Sequence, residues 1–200
     1  MNIRLTGVLS LVLLLGGCGG MRIVDSDVDA VAPAGQALKM PDSYRFERTS
    51  LQQTRPQQSA AIEALAEPVL SRFGLRRDDA AAQYAVQVDY LMSFWPRAPW
   101  DYPLNSPNRL RPPFPTLGPY GPVLQHVSMP FEPYFPYYER EIVVVVRRLA
   151  DNQVVFQTRG KHDGRWNDDA NILPVMFEAA LADFPNPPPG LRRIVIEIPR

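Results

Sequence analysis

The stretch EIVVVVRRLADNQVVFQT, from Glu141 to Thr158, decides the fold, because two apolar segments are joined in it by turn residues. Ile142–Val146 is apolar at every position, as expected of a strand that is buried on both faces of a sheet. Asp151–Gln153 supplies turn residues, and the second apolar segment starts at Val154. The stretch therefore predicts a β-hairpin whose first strand is central in a sheet.

Three other segments alternate apolar and polar residues with a period of two, which is typical of strands with one buried face. They are Ser43–Arg48, Tyr84–Phe94 and Ile194–Ile198.

Two segments have the spacing of amphipathic helices. The first follows Thr54–Gln57, which has the form of a capping box, and ends at Gly74, with a kink expected at Pro68. The second is Asn171–Phe184, with Asn171 as its cap. The order β-α-β-β-β-α-β predicts an α+β fold: a mostly antiparallel sheet with two helices on one face.

The domain organisation follows from the length of 200 residues and the apolar content of 46%. We expect a single domain over residues 43–200, with a long proline-rich and aromatic insertion, residues 96–136, between the second and third strands. The 21 basic and 21 acidic side chains balance, so nucleic acid is not an expected partner.

The N-terminus resembles a bacterial lipoprotein signal. Residues 1–17 read as a signal peptide, because a short basic start precedes the apolar run Leu5–Leu15, which is too short for the roughly 20 residues of a membrane span. Leu15–Cys18 has the form of a lipobox, which predicts that Cys18 is diacylated and becomes the mature N-terminus; the alternative is an ordinary signal peptide with a chance cysteine. Residues 18–42 would be the lipidated N-terminus and a tether, although an edge strand is the other interpretation.

Cys18 also predicts where the protein resides. A lipid anchor of this type holds a protein on a membrane without spanning it. Gly19 resembles the residue that follows the cysteine in outer-membrane lipoproteins, so we expect a lipid-anchored protein of the cell outer membrane that faces the periplasm. Cys18 is the single cysteine, so no disulfide is expected.

The proline-rich insertion ends in a register of three. Phe131, Tyr134 and Tyr137 recur at the period of a polyproline II helix, which would align their rings along one side. One interpretation is a binding surface for an envelope protein or for peptidoglycan. The other is that the rings pack back onto the protein's own sheet, since exposed aromatic rows favour aggregation.

The polar segment His162–Asp169 is the strongest candidate for chemistry. A histidine with several carboxylates can hold a divalent cation or act as a general acid or base. The other interpretation is a solvated loop whose Asp168 and Asp169 favour a helix N-terminus. With two histidines, one cysteine and no recognised catalytic motif, the sequence predicts no enzyme activity, no metal and no cofactor.

The order of several short motifs resembles a family of Gram-negative envelope lipoproteins catalogued as domain of unknown function four-one-three-six. The motifs are the lipobox Cys18, Tyr44–Phe46, Gly74–Arg77, the turn at Asp151 followed by Phe156 and Gly160, and the pair Phe184–Pro185. Family members often carry tryptophan where Phe156 stands, and their connection corresponding to residues 96–136 is shorter. The resemblance implies an α+β domain on the periplasmic side of the envelope, with no established activity and no functional residues to carry over.

These observations lead to one main functional hypothesis and two alternatives. The main hypothesis is an outer-membrane-anchored periplasmic lipoprotein of unknown molecular activity, acting as a non-enzymatic binding or structural component of the envelope. The alternatives are an envelope hydrolase that uses His162–Asp169 and a carrier of a small apolar ligand.

Overall fold

A computed structural model describes residues 20–33, 38, 42–95, 116–118, 121–123 and 137–199 of the chain. Within them lie nine strands and three helices. The strands are β1 (Met21–Val31), β2 (Asp42–Phe46), β3 (Leu75–Arg77), β4 (Tyr84–Trp95), β5 (Thr116–Gly118), β6 (Gly121–Val123), β7 (Tyr137–Arg148), β8 (Val154–Gly164) and β9 (Arg192–Pro199). The helices are α1 (Ser50–Gln53), α2 (Pro56–Arg72) and α3 (Asp169–Leu181).

Seven strands form one mixed sheet in the order β3-β2-β4-β7-β8-β1-β9. β2 pairs in parallel with both β3 and β4, whereas the other neighbours are antiparallel. The expected mostly antiparallel α+β fold with two helices is therefore wrong, since the fold is mostly sheet, the sheet is mixed and three helices are present. The physical reason is α2, which returns the chain to the end of the sheet where β2 starts. The next two strands, β3 and β4, therefore run in the same direction as β2.

The predicted hairpin forms β7 and β8. β7 is the fourth of the seven strands, as the run Ile142–Val146 indicated, and pairs with β4 on one side and β8 on the other. Asn152 adopts a φ of 64° in the turn, a conformation that asparagine tolerates better than most residues.

The strand β1 lies in the segment 18–42, for which a tether and an edge strand were the two interpretations. Met21–Val31 pairs with β8 on one side and with β9 on the other, so these residues form an interior strand and neither a tether nor an edge, while Cys18 and Gly19 lie outside the described residues. Its buried side chains alternate along the strand, and Val24, Val28 and Ala30 are at most 4% exposed. Val24 and Ala30 belong to the apolar core, which lies between this face of the sheet and the helices.

The two long helices pack on this core and touch each other through the Arg72–Glu178 ion pair. The capping box lies at Thr49 and Gln52, at the start of α1, and not at the predicted Thr54–Gln57. α2 continues through Pro68, and Gly74 follows its end with a φ of 89°, as predicted for a C′ glycine. α3 begins two residues before the predicted Asn171 and ends at Leu181.

Candidate functional site

The segment His162–Asp169 divides between three elements. His162 to Gly164 are the last residues of β8, and Asp169 is the first residue of α3. Asp168 occupies the N-cap position, although its side chain makes no capping hydrogen bond to the helix backbone. The segment is thus a strand end, a short loop and a helix start.

Arg140 connects the middle of the sheet to the start of α3. Its side chain is fully buried on β7, its Nε donates to Asp169 Oδ1 at 2.7 Å, and its Nη2 donates to the Trp166 carbonyl at 2.7 Å. Tyr90 donates its hydroxyl to Asp169 Oδ2 at 2.7 Å, and burial together with this bond raises the Tyr90 pKa. Both carboxylate oxygens of Asp169 are therefore used in holding the helix to the sheet.

Arg22 makes the equivalent connection from β1. It donates to Asp168 Oδ2, and its guanidinium lies 5.9 Å from the centre of the Trp166 ring. Asn171 also donates to both oxygens of Asp168 at 3.0 Å. The bonds from Asn171 and Arg22 lower the Asp168 pKa, so this carboxylate is ionised and neutralised locally.

His162 is enclosed by the sheet rather than presented to a substrate. It is 4% exposed, and its Nδ1 lies 2.7 Å from the Asp25 carbonyl oxygen, so Nδ1 carries the proton and donates. Burial, the largest cause, lowers the His162 pKa, and the nearby Arg140 charge acts in the same direction. The imidazole is neutral at neutral pH.

Asp163 belongs to the opposite face, because successive side chains of a strand alternate. The Tyr137 hydroxyl donates to it, and burial and the charge of Asp25 raise the Asp163 pKa. Burial works to raise the Asp25 pKa as well, but the hydrogen bond and charge of Arg193 outweigh it, and the Asp25 pKa is lowered. His162 and Asp163 therefore do not act on one substrate from the same side.

In this arrangement the segment meets other polar groups through ion pairs and hydrogen bonds. The carboxylates of Asp168 and Asp169 are bound to arginines, and a general acid or base must instead reach the proton it transfers. Across the described ranges, no group of three or more His, Cys, Asp or Glu side chains is placed to hold a metal ion. Arg22, Tyr90, Arg140, Asp168 and Asp169 form a polar cluster. Its ion pairs bind the start of α3 to the strands β1 and β7.

The sequence patterns did not predict that Arg22, Tyr90 and Arg140 belong to this cluster. A signal was present, because each is in phase with buried residues of its strand: Arg140 with Ile142, and Arg22 with Val24. An arginine at an inward position of a strand indicates a buried ion pair.

Of the four site residues predicted from the sequence, the structure describes one, Tyr137. Cys18, Phe131 and Tyr134 lie outside the described residues. Tyr137 begins β7, is 8% exposed and is hydrogen-bonded to Asp163, so its ring is buried rather than offered to a partner.

An aromatic patch lies at the same end of the sheet as the polar cluster. We define it by its four members, Met92, Phe94, Tyr138 and Trp166. Met92, Phe94 and Trp166 are 41%, 48% and 45% exposed, and the Phe94 and Tyr138 ring centres are 5.5 Å apart. The Arg140 guanidinium lies 5.2 Å from the centre of the Tyr138 ring, which links the patch to the polar cluster. β4 ends and β7 begins beside the patch, at the paired residues Trp95 and Tyr137.

Two surface clefts in the described part of the chain bear on the carrier interpretation, and the first of them reaches the polar cluster at Tyr90. One, of about 110 Å³, lies between α1, α2 and β4, and its lining includes Gln52, Arg55 and Asp89. The other, of about 470 Å³, is lined by residues that include Asp42, Gln83 and Arg148. Because polar side chains contribute to both, neither cleft is the apolar cavity that a carrier of an apolar ligand requires.

Comparison with solved structures shows the fold. A crystal structure of a PDZ domain protein from Parabacteroides distasonis is 13% identical, with a TM-score of 0.52, and the alignment covers 97% of this chain and 42% of that one. This chain thus spans less than half the length of that protein. Two structures of the PelC dodecamer from Paraburkholderia phytofirmans, one of a point variant, are 10% and 12% identical, with TM-scores of 0.41 and 0.40; the alignments cover 78% of this chain and 95% and 96% of those.

The remaining comparisons concern the sequence and its segments. No curated protein matches the sequence significantly. None of the helices in the described part of the chain combines the length and the apolar character needed to cross a membrane. The family model described as Domain of unknown function (DUF4136) matches residues 24–186, which is most of the chain. The protein therefore belongs to the DUF4136 family.

Proposed function

We propose that this protein is a non-enzymatic binding component of the cell envelope, anchored to the outer membrane through Cys18 and facing the periplasm. Its partner is another envelope protein, bound through the aromatic patch. Membership of a family of unknown function is compatible with this proposal and leaves the activity open.

The proposed location at the outer membrane rests on the sequence. Leu15–Cys18 directly follows an apolar run of signal-peptide length, and a lipid anchor keeps a protein on a membrane without a spanning helix.

The binding role rests on one observation, the exposure of the aromatic patch. Three large apolar side chains within it are 41–48% exposed at one end of the sheet. Aromatic residues and methionine are enriched where proteins bind each other. In the neighbouring cluster, Asp168 and Asp169 are held in ion pairs with arginines, which supports binding over catalysis.

Photo-crosslinking in intact cells tests the proposal. A photoreactive phenylalanine analogue replaces Phe94 in one variant and Leu51, which is 68% exposed on α1, in a matched control. We expect a crosslinked partner protein from position 94 and none from position 51, because the patch and not general exposure makes the contact.

A second variant tests the lipid anchor separately from the aromatic patch. The Cys18→Ala variant should lose acyl labelling, leave the membrane fraction and lose the crosslink from position 94. An unlabelled wild-type chain contradicts the anchor, and equal crosslinking from positions 94 and 51 contradicts the binding surface.

A further inference from the structure

The last strand of the sheet has an open outer edge. β9 is eight residues long and pairs with β1 without a register shift, from Met21 opposite Pro199 to Val28 opposite Arg192. In the part of the chain that the structure describes, no strand pairs with its other edge. A regular edge of this length presents a row of backbone donors and acceptors that another strand can bind.

The opposite edge of the sheet is protected in a way that β9 is not. β3 at that edge has only three residues, and two of them, Arg76 and Arg77, are exposed arginines. Short length and charge are the usual means of preventing edge pairing. β9 carries charged residues too, Arg192, Arg193 and Glu197, but it is eight residues long and its one proline stands at the last position, Pro199.

The two faces of β9 differ in character. Ile194, Ile196 and Ile198 point to the helix side and are only partly buried, and among the described strands none covers them from the outer edge. Arg193, Val195 and Glu197 point to the other face and are exposed. A neighbouring strand would cover the isoleucines further if its own inward residues were apolar.

We infer that the β9 edge binds the β9 edge of a second copy of this chain, antiparallel and centred on Val195, so that one sheet continues through both copies. This inference goes beyond the proposed function and does not depend on the lipid anchor. The charges of the strand argue for a second copy as the occupant, since β9 is complementary to itself and the Arg193 side chain, although it is paired with Asp25 on β1, is 65% exposed.

Only one register gives this complementarity. With Val195 opposite itself, Arg193 faces Glu197 of the second copy twice, and Ile194 faces Ile196 twice. Centring the pair on Ile194 would put Arg193 opposite Val195, and centring it on Ile196 would put Arg193 opposite Pro199. A shift to a centre between two residues would turn the apolar face of one copy toward the polar face of the other.

Cysteine crosslinking of the purified full chain in detergent tests the register. Cross-strand partners have Cα atoms about 4.5–5.5 Å apart, within the range of a disulfide, so Val195→Cys should give a disulfide dimer on mild oxidation. Ile23→Cys is the matched control, because Ile23 is 59% exposed and Val195 is 56% exposed on the same face, but Ile23 lies one strand further in. Its two copies would be at least about 14 Å apart, three strand spacings, which no disulfide spans.

The expected result is about tenfold more covalent dimer from Val195→Cys than from Ile23→Cys, with peptide mapping showing a link between two copies of position 195. Cys18 is present in both variants and contributes equally. Equal yields, or no dimer from Val195→Cys, overturn the inference.

A charge exchange tests the same contact independently. In the Val195→Cys background, Glu197→Arg should lower the dimer yield about tenfold, because two opposite-charge pairs become like-charge pairs. Adding Arg193→Gln should raise the yield part of the way, because it removes the positive charge that faces the new arginine; glutamine is chosen over glutamate because Asp25 lies beside position 193. A yield that Glu197→Arg leaves unchanged, or that Arg193→Gln does not raise, overturns the register.

Discussion

At the residue scale, the most informative feature is the burial of Arg140 and Arg22. Their side chains are 0% and 8% exposed and each is bound to a carboxylate at the start of α3. Breaking such a pair by removing one partner leaves a charge without compensation and typically costs several kcal/mol, whereas the intact pair contributes little net stability. The cluster therefore fixes where α3 begins more than it stabilises the fold.

His162 makes stability depend on pH. Burial lowers its pKa in the folded state below the ordinary value of 6.5, so below that pH the unfolded chain binds a proton that the folded chain does not. The groups that face it are Asp25 on β1 and Arg140 on β7. We expect the free energy of unfolding to fall as the pH is lowered from 7 to 5, by up to about 1.4 kcal/mol per pH unit, in urea titrations.

Two variants test whether His162 causes this dependence of the free energy of unfolding on pH. His162→Gln keeps an N–H that can donate to the Asp25 carbonyl but cannot take up a proton, so its stability should change less over the same window. His126→Gln, which removes the other histidine of the chain, is the control. A slope that disappears in His126→Gln and persists in His162→Gln would contradict the prediction. Asp25 stays ionised over this window because its pKa is lowered, whereas the raised Asp163 pKa stabilises the folded state as the pH falls and so acts against the slope of His162.

At the element scale, Gly160 leaves room for the side chain of Ile142, its partner on β7, beneath α3. A Cβ at this position would lie 3.3 Å from Ile142 Cγ1, a tight contact, and 3.6 Å from Ala180 Cβ on α3, an ordinary one. Gly160→Ala should therefore displace the Ile142 side chain and lower the free energy of unfolding by about 1–3 kcal/mol in urea titrations, as overpacked cores do.

A substitution on the same strand and face controls for general sensitivity to core changes. Thr158 is 1% exposed and its hydroxyl makes no hydrogen bond, so Thr158→Val should leave stability unchanged or raise it. If Gly160→Ala is as stable as the parent, the close packing of Ile142 is not what requires glycine.

At the scale of the whole molecule, the sheet joins Trp95 directly to Tyr137. These residues are paired neighbours, so residues 96–136 leave and re-enter the sheet at adjacent points. Replacing that segment by a short turn should therefore keep the seven-stranded sheet. Shortening the connection should also lower its closure entropy, by about 2 kcal/mol in favour of the folded state.

Circular dichroism and urea unfolding of this deletion variant provide the measurement. A substituted turn of scrambled sequence controls for the choice of linker. A variant that loses its strand signal or aggregates would show that residues 96–136 are needed by the core.

Much of this architecture could be predicted from local pattern. The alternation of β4, the hairpin of β7 and β8, both long helices and the glycine after α2 follow from neighbouring residues, because propensity and period act within a few positions. For the candidate site, the pattern singled out His162–Asp169 but could not show that Arg22, Tyr90 and Arg140 meet it. Arg22 lies 146 positions from its partner Asp168, and Tyr90 and Arg140 lie 79 and 29 positions from their partner Asp169.

By itself, the sequence determined the family and the central strand, and it predicts the lipid anchor. Each of these depends on the order of neighbouring residues along the chain. The tertiary structure alone decided that Met21–Val31 is an interior strand, that β2 runs parallel to its neighbours and that β9 ends the sheet. The physical reason is that strand order and direction depend on which distant segments exchange backbone hydrogen bonds. That choice is made by burial of the whole core and not by any one segment.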